Sequence, residues 1–185
     1  LMSIFFGMMA SGAWNTKERA ANILDGGTPF YDTYQTSDGQ WVSIGSLEPK
    51  FFAEMVERVG LDPSYVKRQH DKRCWPQMRA DMVAKIGAKT RDEWSKLLEG
   101  TDVCFAPVLR LDEVANHPHA KARNAYIDLG GVLQPAPAPR FGRSQPAMPT
   151  PPVQAGAHSG AILAAAGFSA DEVAALRASG AVMGE

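Results

Sequence analysis

The fold of this chain is decided by residues 31–45, with the sequence YDTYQTSDGQWVSIG, and by the Glu48-Pro49 pair that follows them. Two runs rich in aromatic and β-branched residues flank the Asp38-Gly39 pair, and Asp-Gly is a preferred turn between antiparallel strands. We therefore predict a β-hairpin. A helix is predicted to begin at Glu48-Pro49, because proline is well tolerated at the first helical position, where its missing N–H costs nothing.

Three amphipathic helices and a short strand are predicted after the hairpin. The first helix ends at Gly60, the second begins near Trp75-Pro76, and the third opens with a capping box at Thr90–Glu93. Residues 103–109 are short and apolar and predict a strand. We expect the remaining tryptophans and methionines of the chain to be core as well. Apolar side chains recur at helical spacing in the three helices, and those expected to be buried are Phe51, Phe52, Met55, Val56, Val59, Trp75, Met78, Met82, Val83, Ile86, Trp94, Leu97 and Leu98.

The C-terminal part of the chain changes in composition. Residues 112–123 predict one or two short helices broken at a proline, and Gly130-Gly131 predicts a turn. Seven prolines lie in residues 135–152, a richness typical of extended connecting chain. Alanine-rich helices are predicted in residues 158–166 and after a second capping box at Ser169–Glu172. Because these helices carry few apolar residues, we expect them to dock on another body.

These patterns divide the chain into three parts. Residues 1–24 form one helix, residues 25–125 an α+β domain with a hairpin and amphipathic helices, and residues 126–185 a proline-rich strap followed by C-terminal helices. A cluster of turn-forming residues, Asp25–Pro29, marks the first boundary.

The apolar start of the sequence, residues 1–16, carries no charge but does not predict a membrane span. Glycines and polar residues interrupt it, whereas a spanning helix needs about 20 consecutive apolar residues. A secretory signal would require a basic region before the apolar core, and none precedes it here. We expect a buried helix of a larger globular body and no membrane partner.

Charge and cysteine content narrow the class of protein further. The 19 Lys and Arg residues balance 20 Asp and Glu residues, giving a formal net charge of -1. This balance removes the usual electrostatic reason to expect a nucleic acid partner. Cys74 and Cys104 form no C-x-x-C motif and are too few for a disulfide framework, which favours reduced thiols and a cytoplasmic location.

Standard catalytic and cofactor motifs are missing from the sequence. It contains neither a glycine-rich phosphate loop nor a G-x-S-x-G nucleophile motif. His70, Cys74, His117 and His119 could be assembled into a zinc site only on paper, because their spacing matches no standard template. We therefore predict no metal and assign no cofactor-binding residue.

Two residues near the hairpin have the chemistry of a site. Glu48 precedes a helix, where free backbone N–H groups and the helix dipole favour an anion, and a carboxylate fixed there could orient a histidine. The alternative is that Glu48 only caps the helix, and the residue pattern alone favours this alternative. Tyr31 either directs its hydroxyl into a site or is an aromatic residue of a half-buried sheet.

The order of these residues resembles one known family. Leu24–Tyr34, then Ser37–Gly45, then Leu47–Phe52 resemble the α-methylacyl-CoA racemases, members of the family III CoA-transferase (CaiB/BaiF-type) superfamily. Further matches fall at three places: Asn116–His119 before Arg123-Asn124, Pro137–Phe141, and the tail from His158 to Arg177. The resemblance covers nearly the whole chain and matches the C-terminal part of the family pattern.

The resemblance implies an architecture larger than this chain. Family members have a large α/β domain built from both ends of the polypeptide, a small inserted domain, and two subunits threaded together as interlocked rings. The first helix and the tail would then belong to the large domain, and residues 25–125 would be the small domain. A homodimer is the implied partner arrangement.

The resemblance also implies a reaction. Racemases of this family interconvert (R)- and (S)-2-methylacyl-CoA by moving the proton next to the thioester, as part of fatty acid metabolism. The acyl-CoA is the substrate, and no cofactor is implied. The family's two bases, a histidine and an aspartate of the large domain, have no matching segment here, so we expect this chain alone to be inactive.

The resemblance implies roles for Glu48 and Tyr31. Glu48 matches the family glutamate that reaches the site from the small domain and partners the catalytic histidine. Tyr31 matches a tyrosine that lines the site. The four histidines do not align with the family base: His70, His117, His119 and His158.

Two other functions stay open at this stage. A family III CoA-transferase would use an aspartate nucleophile in the segment that is missing here, and Glu48-Pro49 after the hairpin favours the racemase. The other alternative, from a different class, is a non-catalytic assembly or interaction module.

Overall fold

A computed structural model describes residues 1–183 and divides the chain into two compact units, residues 1–111 and the residues from Asp112 onward. Unit 1 carries helix α1, a three-stranded sheet, helices α2–α4 and a 3-10 helix at Pro63–Arg68. Its elements are α1 (Ser3–Ala10), β1 (Tyr31–Gln35), β2 (Trp41–Gly45), α2 (Pro49–Val59), α3 (Trp75–Ile86), α4 (Arg91–Leu98) and β3 (Phe105–Val108).

Strands β1, β2 and β3 form an antiparallel sheet with β2 in the centre. Tyr31 pairs with Gly45 at one end of the hairpin, and Gln35 pairs with Trp41 at the other. Successive side chains of a strand point to opposite faces of the sheet. One face is therefore buried, with Tyr34, Val42 and Ile44 in the core, while the other carries the exposed residues Tyr31, Thr33 and Trp41.

Helix α2 begins where the sequence predicts and packs its apolar face into the core. Pro49 is in its first turn, and the helix ends at Gly60, whose φ of 76° is a left-handed conformation that glycine adopts at no steric cost. Phe52 lies in the core with its ring edge-to-face against Phe30, at a centroid distance of 5.2 Å. Phe51, which was also expected in the core, is only half-buried.

Helices α3 and α4 close the core of unit 1. Thr90 and Glu93 form the predicted capping box. The indole Nε1 of Trp94 donates a hydrogen bond to the Ile86 carbonyl at 2.8 Å, so a buried polar group is satisfied within the core. The fully buried residues shared by the two helices are Met78, Met82, Ile86, Trp94 and Leu98.

Several residues expected in the core are exposed. Val83 and Leu97 are 56% and 39% exposed, because each lies at the edge of its helix's apolar stripe and faces solvent. The expectation that all tryptophans and methionines are core is also wrong, since Trp41 and Met148 are 45% and 63% exposed.

Helix α1 buries none of its side chains within the described residues. Ile4 and Phe6 are 64% and 65% exposed, in contrast to the buried helix that the sequence predicts. The ring of Phe5 packs edge-to-face on Trp14 at a centroid distance of 5.0 Å. The described residues therefore bury no side chain of α1, and its burial in a larger body stays a prediction.

Unit 2 has short elements and little core of its own. The predicted break at Pro118 separates a 3-10 helix from α5, which starts at that proline. Strands β4 and β5 form a hairpin around Gly130-Gly131, whose φ values are both positive. The sequence predicts this turn but not its strands. The elements are a 3-10 helix at Val114–Asn116, α5 (Pro118–Ala122), β4 (Tyr126–Leu129), β5 (Val132–Pro135), α6 (Ser159–Ala165) and α7 (Ala170–Ala178).

The extended strap is shorter than the sequence predicts, because residues 126–135 form the β4–β5 hairpin and only residues 136–154 contain no helix or strand. The predicted second capping box, at Ser169 and Glu172, opens α7. Val173 of α7 is buried, whereas Ile162 of α6 is 64% exposed. No helix within residues 1–183 is long and apolar enough to cross a membrane.

Candidate active site

An open pocket of about 510 Å³ lies at the end of the three-stranded sheet where Tyr31 pairs with Gly45. It is formed by the start of β1, the end of β2, the residue before β3 and a turn before β1. Tyr31 is 37% exposed there. The residues lining the pocket are Asp25, Gly26, Tyr31, Asp32, Thr33, Ser43, Ile44, Gly45 and Cys104.

The turn on one side of the pocket is held by Asp25. Its carboxylate accepts hydrogen bonds from the backbone and side-chain nitrogens of Asn22, at 2.8 and 2.6 Å, and from the backbone N–H of Gly27. Burial opposes ionisation of Asp25, but these hydrogen bonds outweigh it and lower the pKa of the carboxyl. Only glycine fits at residue 27, since a Cβ atom there would lie 2.4 Å from the Asn22 carbonyl oxygen.

Arg79 of α3 binds two of the residues that line the pocket. Its guanidinium forms an ion pair with Asp32 of β1 and donates a second hydrogen bond to the Gly26 carbonyl at 2.8 Å. The planar guanidinium has several donors in a fixed geometry, so one side chain ties both the strand and the turn to α3. The sequence does not mark Arg79 or Asp32 as site residues, because no local pattern signals an ion pair between residues so far apart in the chain.

Glu48 occupies the N-cap position of α2, but its side chain does not cap the helix. Its backbone is extended, and its carbonyl accepts the helical hydrogen bond from Phe52 at 2.9 Å. The exposed carboxylate makes no cap hydrogen bond, and no described residue forms a hydrogen bond or ion pair with it. The alternative in which the Glu48 side chain serves as a helix cap is therefore not what the structure shows.

Cys104 links the surroundings of Tyr31 and Glu48. The Gly45 N–H donates to the Cys104 carbonyl at 2.9 Å, and a Cβ atom placed on Gly45 would lie 3.8 Å from both the Cβ of Cys104 and the Cδ2 of Tyr31. Partial loss of hydration and the negative charges of Glu48 and Asp102 raise the pKa of the exposed Cys104 thiol. Glu48 is not among the residues lining the pocket, but its charge acts on one that is.

Tyr31 and Glu48 thus belong to the same end of the three-stranded sheet, since Tyr31 starts β1 and Glu48 follows the end of β2. Cys104, which the sequence marks only as a reduced thiol, precedes β3 at this end and adopts a left-handed conformation with a φ of 56°. No pattern in the sequence could have placed Cys104 beside the pocket, because its position depends on the pairing of β3 with β2.

The histidines do not contribute to this pocket. None of them is a lining residue, and His70 instead places its ring edge-to-face with Phe30 at a centroid distance of 6.1 Å. Within the part of the chain that the structure describes, no three His, Cys, Asp or Glu side chains are grouped to hold a metal ion.

Comparison with known proteins decides the family. A family model described as CoA-transferase family III matches residues 2–159. The chain belongs to CoA-transferase family III. The family resemblance carried by residues 24–52 is thereby confirmed.

Relatives within CoA-transferase family III narrow the comparison. The chain is 36% identical over 178 residues to the α-methylacyl-CoA racemase of Mus musculus, covering 94% of this chain and 46% of that protein. It is 34% identical over 177 residues to the α-methylacyl-CoA racemase of Homo sapiens, covering 89% of this chain and again 46% of that protein. The chain therefore spans less than half the length of these relatives.

A solved structure of the same family shares the fold. The crystal structure of a CaiB/BaiF family protein from Brucella suis superimposes with a TM-score of 0.62 at 19% sequence identity. The similarity covers 89% of this chain and 44% of that one. Mixed α/β structure with small antiparallel sheets is thus a property that this chain has in common with CaiB/BaiF proteins.

Proposed function

We propose that this chain is the C-terminal part of an α-methylacyl-CoA racemase that interconverts (R)- and (S)-2-methylacyl-CoA. The observation that carries the proposal is the 34–36% identity, over about nine-tenths of the chain, to two proteins of that name. The carboxylate of Glu48 supports it, because no described residue forms a hydrogen bond or ion pair with it and its charge acts on Cys104 of the Tyr31 pocket, so it is available to orient a histidine base.

The proposed reaction moves one proton at C2 of the acyl group. A base on one face removes the C2 proton, and the electrons of the C–H bond move to the thioester oxygen to give an enolate. The enolate then collapses as an acid on the opposite face delivers a proton to C2, inverting the centre. The proton count is unchanged, so no oxidant, metal or cofactor enters the balance.

Glu48 and Tyr31 have different proposed roles. Glu48 orients and charge-stabilises a histidine base supplied by residues outside this chain, as a carboxylate does for a protonated imidazole. Tyr31 lines the pocket beside the acyl-CoA thioester. Both assignments are supported by their position around Cys104 and Gly45 rather than by any contact with a substrate.

The remaining features of the proposed enzyme follow from the family. In this proposal α1 and the tail belong to a larger α/β domain, residues 25–125 form the small domain, and two subunits interlock as a homodimer. The protein acts in the cytoplasm in fatty acid metabolism, with acyl-CoA as its ligand and no nucleic acid or membrane partner. The exposed side chains of α1 and α6 support a larger body, since exposed apolar helix faces normally bind another surface.

The proposal is tested with the full-length protein that contains this chain. Optically pure (R)-2-methylacyl-CoA and, in a separate reaction, the pure (S) enantiomer are incubated with the enzyme, and the acyl enantiomers are separated by chiral chromatography. The proposal predicts approach to a mixture of both enantiomers from either side. Retention of optical purity contradicts it.

The same reaction distinguishes the CoA-transferase alternative. A carboxylic acid acceptor is added, and a new CoA thioester or an acyl-enzyme anhydride trapped by hydroxylamine would replace the racemase assignment. The 185-residue chain alone is expected to be inactive, because the proposed base pair lies outside it, and turnover by this chain would refute that expectation.

A further inference from the structure

Glu48 is reached through a short segment, Ser46-Leu47, that connects β2 to α2. The segment turns sharply, with the Leu47 N–H donating to the Gly45 carbonyl at 2.9 Å. Since no described residue forms a hydrogen bond or ion pair with the Glu48 carboxylate, the side chain has no restraint of its own. Its position therefore depends on how firmly the backbone before it is held.

A buried glutamine holds that backbone. Gln69, which follows the 3-10 helix, is only 4% exposed, and its Nε2 donates to the Leu47 carbonyl at 2.9 Å and to the Ser46 carbonyl at 3.3 Å. Both carbonyls belong to the two residues immediately before Glu48. The main chain of Gln69 is fixed in turn, because the Trp75 indole donates to its carbonyl at 2.7 Å.

A second buried hydrogen bond also holds the Ser46-Leu47 segment. The Ser46 side chain is fully buried, and its Oγ donates to the Val103 carbonyl at 2.6 Å. Val103 immediately precedes Cys104, so the segment leading to Glu48 is tied directly to the chain leading to the pocket. Buried side-chain hydrogen bonds to backbone groups hold a loop rigidly, because breaking one leaves a polar group without a partner.

We propose that Gln69 is a positioning residue that acts through Glu48, holding the Ser46 and Leu47 peptide groups so that the carboxylate faces the Cys104 side of the pocket. This role rests on the proposed function. A buried glutamine that only filled the core could satisfy its amide with any nearby acceptors. Gln69 instead donates to the carbonyls of Ser46 and Leu47, the two residues before Glu48.

The test uses Cys104 as a reporter of the Glu48 charge and so does not depend on activity. The alkylation rate of Cys104 by iodoacetamide is measured against pH in the 185-residue chain, using peptide mass spectrometry. Because the negative charge of Glu48 disfavours the thiolate, Glu48→Gln accelerates alkylation at a fixed pH below the thiol pKa. The acceleration is about twofold to fivefold, since exposed charges interact weakly.

Gln69→Met removes both amide donors while keeping a similar length. We expect its Cys104 profile to shift toward that of Glu48→Gln, and the double variant to show no further shift. Tyr65→Phe is the matched control: it deletes another buried side-chain hydrogen bond, from the Tyr65 hydroxyl to Asp81, and should leave the Cys104 profile unchanged. If Gln69→Met gives no folded protein, Gln69→Asn carries the same readouts, because its amide is one methylene too short to reach both carbonyls.

A second readout is kinetic. In the full-length enzyme, Gln69→Met should lower kcat by roughly 10- to 100-fold with KM changed less than about twofold, because misplacing a catalytic group slows the chemical step. A wild-type Cys104 profile and a wild-type kcat in a folded Gln69→Met variant overturn the positioning role. If the wild-type enzyme is itself inactive as a racemase, the proposed function fails, and the Cys104 profile still decides whether Gln69 positions Glu48.

Discussion

Replacing Glu48 by glutamine distinguishes whether its carboxylate serves a site or caps helix α2. The substitution keeps the size of the side chain and removes its charge. In the structure the Glu48 carboxylate accepts no hydrogen bond from the N–H groups of α2, whereas Thr90 accepts one from Glu93 and completes a capping box at α4. The two N-cap positions lie in the same unit of the chain, so Thr90→Ala is a matched reference.

The two substitutions should change the free energy of unfolding by different amounts, because only the Thr90 side chain accepts a cap hydrogen bond. Loss of an N-cap side chain that accepts a hydrogen bond costs about 1 kcal/mol in the free energy of unfolding. For Glu48→Gln only the interaction of an exposed charge with the helix dipole is lost, which is roughly 0.5 kcal/mol. We therefore expect Thr90→Ala to destabilise unit 1 by about twice as much as Glu48→Gln, or more.

The assay is urea unfolding of the chain, followed by tryptophan fluorescence and by circular dichroism at low and moderate salt. Added salt should erase most of the small effect of Glu48→Gln, because it screens exposed charges, and should leave the effect of Thr90→Ala in place. A loss for Glu48→Gln equal to that for Thr90→Ala, and insensitive to salt, would show instead that Glu48 is a structural cap.

Three further predictions concern stability and thiol chemistry. Trp94→Phe should lower the free energy of unfolding by about 2 kcal/mol, because it removes buried volume and the hydrogen bond to the Ile86 carbonyl; an unchanged urea midpoint would contradict this packing. Burial and the hydrogen bond to Asp81 raise the pKa of Tyr65 to about 12, so its stabilising contribution is complete below pH 10 and is lost as the pH rises toward 12. Between pH 9 and pH 11.5 the free energy of unfolding should therefore decline less in Tyr65→Phe than in the wild type, and equal declines would argue against the hydrogen bond. Iodoacetamide should label the exposed Cys104 in the native chain and the buried Cys74 only after unfolding. Peptide mapping measures the labelling of each cysteine, and equal labelling in the native chain would contradict this prediction.

Local patterns predicted the hairpin, the starts of α2 and α4, and the strap. The Asp38-Gly39 turn, the proline at the first position of α2 and the Thr90–Glu93 capping box each specify backbone geometry within a few residues, so these elements needed no knowledge of tertiary contacts. Side-chain burial was less predictable. Val83 and Leu97 have the spacing of core residues, but only the packing of the helices decides which edge of an apolar stripe is covered.

Unit 2 shows another limit of local patterns. The strands β4 and β5 were missed because residues 126–135 contain glycines and end in proline, a composition that resembles connecting chain. Their pairing depends on the Gly130-Gly131 turn with positive φ at both glycines, which the sequence marks only as a turn.

The candidate site could be predicted only in part. Glu48 and Tyr31 are site residues by the resemblance and by their places beside the hairpin, and their roles stay predictions. Cys104, Arg79 and Gln69 could not be predicted, because each makes a contact between distant parts of the chain: a strand pairing, an ion pair to β1 and an amide bridge to the segment before α2.

The proposed role of Glu48 is to serve proton transfer at C2 of a 2-methylacyl-CoA. The most direct measurement is incorporation of solvent deuterium at C2, by mass spectrometry in D₂O, with the full-length enzyme and its Glu48→Gln variant. We expect exchange by the wild type and exchange at least about tenfold slower in the folded variant, since a histidine base that is misoriented or lacks a compensating charge loses much of its acid–base contribution. No exchange by the wild type, or equal exchange by both proteins, would contradict it.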